Sequence, residues 1–295
     1  MVFSLIRAGM LCYLWADGKF EGMNLWIIAA ILVLLFPVWK LFDRKIGRRK
    51  WPVVRVSFAT RLKRILGKRV SFYKALSSRE KRKFEFRVMR FLQNHEITTA
   101  GTRINETDLA LVGASAVIPV FRFERWRYRG LDEVVVFGPS FDRNFSDTEE
   151  EGRVVGLLGT GDLDRKMFLC RDALRKGFAQ EEDGDNTAIH EFVHLVDKMD
   201  GQVDGIPKVI IRRQYVLPWL DLMKRKIGEI EDGKSDINQY AAMGNEEFLA
   251  VTAEYFFERP EKMKERHPDL HKALQYVFKD PDRNPSGSDP FPLPD

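Results

Sequence analysis

The chain has 295 residues, 44% hydrophobic and 31% charged, with a formal net charge of +5. That balance excludes disordered and fibrous classes and allows one large domain, or two small ones, around a substantial core. The two cysteines, Cys12 and Cys170, lie far apart, which excludes a disulfide framework and fits a reducing compartment.

The first element in chain order is an apolar run at residues 25–39, LWIIAAILVLLFPVW, fifteen positions without a charge. At about 1.5 Å per residue it falls short of a bilayer core about 30 Å thick. Residues 23–24 and 40–42 extend it towards a spanning length if Lys40 snorkels, and Trp26 and Trp39 sit near its ends as interfacial aromatics do. The expectation is a transmembrane anchor at 23–42, with 1–22 left unassigned. Lys40, Arg44, Lys45, Arg48, Arg49 and Lys50 follow the run, whereas only Arg7 and Lys19 precede it. The positive-inside rule then predicts a single-pass inner-membrane protein with everything after residue 40 in the cytoplasm. From Lys40 to Arg90 there are 19 Lys and Arg against three acids. Residues 43–69 read as a basic juxtamembrane connector with little periodicity, and the whole Lys40–Arg90 segment as a surface for anionic lipid. No helix-turn-helix, zinc-finger or RNP pattern accompanies the charge, so no direct nucleic-acid binding is expected.

Ser77 and Glu80 form a capping box ahead of Phe84, Val88, Phe91 and Leu92 at helical spacing. Residues 107–117 are apolar and rich in alanine, and a helix there must end before Pro119. EVVVF at 133–137 is a short strand, and 142–186 reads as loops around one or two more strands. Helices are predicted at 187–200, 214–228 and 246–258, with a last one near 260–279 and a disordered, proline-rich tail at 281–295. The sum is one mainly helical α+β domain over residues 70–280.

The chemistry concentrates in HEFVH at 190–194. Asn186 caps this helix and Gly201 ends it, with Lys198 in the last turn. His190 and His194, four apart, share a face with room for a cation between their imidazoles. Glu191 is turned aside by about 100°, so it reaches a water rather than the ion, as a general base must. The competing reading is two satisfied histidines on an amphipathic helix. A three-ligand site needs one more donor, and no third histidine follows closely. On the helix near 245–258, Glu247, Val251 and Glu254 share one face. Glu247 and Glu254 lie about 10 Å apart along the axis, so they cannot both bind one ion, and spacing alone leaves the choice open.

HEFVHLVDKMDG followed by INQYAAMGNEEFLAVTAEYFFERPEKM resembles the Mlc titration factor A (MtfA) family of zinc peptidases. The likeness covers roughly residues 70–280 and includes FGPSFD at 137–142; the family's site is similar to that of the anthrax lethal factor peptidase. The resemblance implies a zincin-like domain with a gluzincin-like Zn2+ site made by His190, His194 and Glu247, which favours Glu247 over Glu254. It also implies Glu191 as base and Tyr240, seven residues before Glu247, as donor to the oxyanion. Asp197, one turn beyond His194, is then the candidate for orienting an imidazole N–H. Peptides or proteins become the expected substrates, with aminopeptidase action among the implied activities, and the family name points to a transcriptional regulator as a partner. The reading is thus a membrane-anchored zinc peptidase. The alternative is a membrane-tethered protein that sequesters a regulator around a structural zinc; the presence of both Glu191 and Tyr240 favours the enzyme.

Overall fold

A computed structural model describes residues 56–123, 125–138, 156–158, 165–179 and 185–278. The chain enters through helix α1 (Val56–Arg69), a short α2 (Ser71–Ala75) and α3 (Ser78–Asn94), then strand β1 (Glu96–Ala100) and helix α4 (Glu106–Val117). Next come β2 (Glu133–Phe137), β3 (Gly156–Leu158), β4 (Lys166–Cys170) and α5 (Arg171–Gly177). Helices α6 (Thr187–Asp197), α7 (Val216–Glu231), α8 (Asn245–Glu258), α9 (Pro260–Arg266) and α10 (Pro268–Val277) complete it. The fold is mainly helical, with a small sheet in the order β1-β2-β4-β3. Strands β1, β2 and β4 run parallel and β3 closes one edge antiparallel to β4.

Local chemistry accounts for most of these boundaries. Ser77 and Glu80 form the expected capping box at the start of α3, and Phe84, Val88, Phe91 and Leu92 are all buried. Asn105 and Asp108 make a second such box for α4, whose residues from Asp108 onward are buried. β2 is buried at every position, as befits a strand with neighbours on both edges. The predicted helix at 260–279 is two helices, because Pro268 cannot continue the first and instead occupies the opening turn of the second.

Two expectations are corrected. The stretch read as a connector is structured from Val56 onward: α1 places Phe58, Leu62 and Leu66 into the core at four-residue intervals. Within it Arg61 pairs with Glu106, and further along, in α3, Arg87 donates to the Phe121 carbonyl at 2.7 Å. The membrane helix, and with it the single-pass inner-membrane location with a cytoplasmic domain, is not upheld. Among the described residues no helix is long and apolar enough to cross a membrane. The longest, α3, has 17 residues and is dense in Lys, Arg and Glu. The apolar run at 25–39 and the tail at 281–295 lie outside the described residues; that run, uncharged over fifteen positions, reached a spanning length only by counting Lys40 and its neighbours as part of the span.

Helix α6 runs through the middle of the packing. Its Phe192 is fully buried, edge-on to Phe91 with ring centroids 5.6 Å apart and tilted against Tyr128 at 5.4 Å. Its other side carries the polar residues of the site.

Candidate metal centre

Asn186 starts α6 as predicted: its side-chain oxygen accepts from the Ile189 backbone N–H at 3.2 Å. The helix closes through a 3-10 turn, Lys198–Asp200, onto Gly201 in the left-handed conformation at φ +98°. His190 and His194 emerge one turn apart, and their Nε2 atoms lie 2.9 Å from each other. Helix α8 brings Glu247, in its first turn, against both. Glu247 Oε2 is 3.0 Å from His190 Nε2, and Oε1 is 3.5 Å from His194 Nε2. Gly244 precedes this helix as its cap, without a capping side chain. The exposed amides of that first turn favour negative charge at Glu247.

The electrostatics of this cradle favour positive charge beside its carboxylates. Burial works against charging His190, but the Glu247 and Glu254 carboxylates reverse the balance and raise it to about 10. Burial likewise opposes ionising Glu247, yet the two imidazoles hold it down at about 2. Glu247 Oε2 is buried and, despite its 3.0 Å approach to His190, accepts no well-directed hydrogen bond. Two imidazole nitrogens and a carboxylate thus crowd one point with a buried acceptor left over, as the donor set of a divalent cation does. Among the described residues, His190, His194 and Glu247 form a group with one ligand atom each, all within 4.8 Å of one another.

Glu254, the rival ligand, sits on the other side of His190. It is 4% exposed, contacts His190 Nδ1 through Oε1 at 2.7 Å, and accepts from the Asn186 backbone N–H through Oε2. An imidazole that gives its Nδ1 proton to this carboxylate presents a bare Nε2 to the centre. Asp197, expected in that orienting role, is also buried, but its carboxylate accepts from the Gly205 backbone N–H at 2.7 Å. Gly205 holds φ +73°, and its carbonyl accepts from Trp219 Nε1 at 2.8 Å. A Cβ built there would stand 2.2 Å from the Asn245 carbonyl oxygen, so the loop passes directly under the start of α8.

Glu191 is 7% exposed and close enough to His190 and His194 to feel both imidazoles. Burial pushes its carboxyl up, opposed by the two imidazoles, and no hydrogen bond within the described residues claims it. Tyr240 lies on a 3-10 turn, Gln239–Ala242, set by Asn238, whose side chain accepts from the Tyr240 backbone N–H at 3.0 Å. Tyr240 is 46% exposed, and its ring centroid lies 6.1 Å from that of His190. A few residues upstream, Asp236 ties this turn to the last helices, holding His267 Nε2 at 2.8 Å, Tyr255 Oη at 3.0 Å and Lys262 Nζ at 3.0 Å. Sequence reading passed over this cluster, since its members belong to four separate elements.

The model of the family described as glucose-regulated metallo-peptidase M90 matches residues 44–279. An uncharacterised protein of Synechocystis sp. PCC 6803 is 27% identical over 225 residues, 72% of this chain and 82% of its own length. Mlc titration factor A of Pectobacterium atrosepticum is 28% identical over 179 residues, 55% of this chain and 64% of that protein. Mlc titration factor A of Escherichia coli O127:H6 is 24% identical over 218 residues, 70% of this chain and 82% of that protein.

Proposed function

The chain belongs to the glucose-regulated metallo-peptidase M90 family, with Mlc titration factor A proteins among its relatives, and from that premise we propose that it hydrolyses peptide bonds at a zinc centre. The observation that carries the reading is the convergence of His190, His194 and Glu247 beside a buried carboxylate, Glu191, that accepts no hydrogen bond among the described residues. Zinc is the metal of choice for two imidazoles and one carboxylate. Ligands about 2.0–2.1 Å from a tetrahedral ion lie roughly 3.3 Å apart, against the 2.9, 3.0 and 3.5 Å between these groups. Bound there, zinc lowers the pKa of a water towards about 7 and polarises the peptide carbonyl.

The protein's own groups do the rest. Glu191, raised by burial and set off the ligand face, takes the proton of the attacking water and passes it to the departing amine. Tyr240, exposed beside His190, donates its phenolic hydrogen to the oxygen on which negative charge develops. Glu254 keeps His190 in the tautomer that presents Nε2. The test is cleavage of a peptide library by the full chain with and without chelator, alongside elemental analysis. Absence of cleavage by the zinc-loaded protein, or cleavage that survives complete metal removal, overturns the reading. The same library with free and acetylated amino termini reads out aminopeptidase action, which requires the free amine. A regulator as macromolecular partner is suggested by the relatives' name alone and is tested by pull-down with a transcriptional repressor of the Mlc type.

A further inference from the structure

A cavity of about 340 Å³ lies among α3, the end of α4 and the segment leading into β2, and none of its lining residues belongs to the metal centre. His95, Asp132 and Arg165, each the residue just before a parallel strand, form one side of it. Five arginines line it, Arg87, Arg90, Arg127, Arg129 and Arg165, against a single carboxylate, Asp132. That carboxylate is already occupied: both of its oxygens accept from Arg165, at 2.5 and 2.7 Å. Arg90 donates to the Trp126 carbonyl at 3.1 Å. Among the described residues no carboxylate pairs with Arg90, Arg127 or Arg129, and the last two are exposed. Trp126 Nε1, a group that can only donate, is buried here without a hydrogen-bond partner.

The walls are firm. Tyr128 is buried, its hydroxyl donates to the Ala116 carbonyl at 2.7 Å, and its ring packs against Phe91, His95 and Phe192. The volume falls at the small end of metabolite pockets, about 300–1,000 Å³, so a small molecule fits and a folded partner does not. Guanidinium groups with no internal carboxylate are matched by oxyanions, which take two parallel hydrogen bonds from each fork. We propose that this cavity binds a small multivalent oxyanion, a phosphate or carboxylate compound, through Arg90, Arg127 and Arg129, with Trp126 Nε1 as a further donor.

The test is isothermal titration of the full chain with two probes, inorganic phosphate and succinate, and spermidine as a cationic control. At least one anion should bind saturably, one per chain, more tightly than about a millimolar, and less tightly as salt is raised. The double variant Arg127→Gln/Arg129→Gln, whose side chains make no hydrogen bond or ion pair among the described residues, should weaken binding roughly tenfold or more. It should unfold at the wild-type temperature and keep wild-type metal content and peptide cleavage, which shows that the loss is local. Trp126→Phe keeps the ring in place and removes the donor, so binding should fall by a smaller factor. The proposal is overturned if neither anion binds saturably, if spermidine binds as well as they do, or if the double variant binds them undiminished.

Discussion

Replacing Glu254 by glutamine separates the two acids that compete for the metal. The carboxylate holds two donors at once, the Asn186 backbone N–H and His190 Nδ1, in a site only 4% exposed. Glutamine offers one oxygen and one NH2 in the same space. Whichever way it turns, its NH2 meets either the Asn186 N–H or the Nδ1 of His190. In the second case His190 has to move its proton to Nε2, which is the atom facing Glu247. Loss of a charged hydrogen bond in a buried site costs about 1.5–3 kcal/mol of stability. Disturbing an orienting carboxylate costs about 10- to 100-fold in metal affinity, close to 1.4–2.8 kcal/mol. Competition with a chromophoric chelator should therefore give a Glu254→Gln protein that still binds one zinc, more weakly. Glu247→Ala, which leaves two ligands of three, should lose most of its zinc in the same assay. The assignment is refuted if Glu247→Ala retains wild-type affinity while Glu254→Gln comes off the column empty.

Glu191→Gln should retain its zinc and lose about 10²- to 10⁴-fold in peptide hydrolysis, the usual contribution of a general base; a variant that cleaves as wild type does removes Glu191 from the chemistry. Tyr240→Phe, at an exposed ring, should leave unfolding temperature and zinc content unchanged and reduce hydrolysis by about 10²- to 10³-fold. Chelation should lower the unfolding temperature without abolishing the helical circular dichroism signal, because the core is one continuous apolar cluster independent of the metal; collapse of that signal would show that the metal is needed for folding. Burial works against ionising Asp236, but His267, Lys262 and Tyr255 together hold it well below the ordinary carboxylate range. Its folded value being depressed, its contribution is complete above the unfolded value of about 3.9 and fades as pH falls through the folded value. The stability gap between wild type and Asp236→Asn should accordingly be widest near neutrality and close under strong acid, and a gap that widens on acidification contradicts the sign.

How much was legible beforehand depends on how local the signal is. The helix carrying His190, Glu191 and His194 announces itself by a capping asparagine, a four-residue histidine spacing and a terminal glycine, and the structure holds all three features. The approach of Glu247 to those imidazoles was reached only through the resemblance, since helical spacing treats it and Glu254 alike. Their difference arises from the crossing of α6 and α8, which sets one acid at Nε2 and the other at Nδ1 of the same ring. Asp197 follows His194 by one turn, and its Oδ2 accepts from the Gly205 amide, while its Oδ1 and His194 Nδ1 are both buried with no hydrogen-bond partner among the described residues. Helix α1 was missed because its charges mask the spacing of Phe58, Leu62 and Leu66. Strand β1, EITTA, has too few apolar residues to declare itself and is recruited by pairing with β2.

Gly205 sets a mechanical tolerance on the whole centre. Its amide is fixed to the end of the helix that carries the histidines, its carbonyl to the buried indole of Trp219, and its bare Cα faces the first peptide of the helix that carries Glu247. The separation of the histidine and glutamate supports is therefore gauged by backbone thickness, with no rotamer in between to adjust it. Any side chain at this position would stand 2.2 Å from the Asn245 carbonyl oxygen and drive the supports apart by about 1 Å. Metal–ligand distances hold to about 0.2 Å, so a shift of that size is several times what the coordination can absorb. A single methyl group some distance from any reacting atom would thus act on the centre as a misplaced shim acts on a bearing.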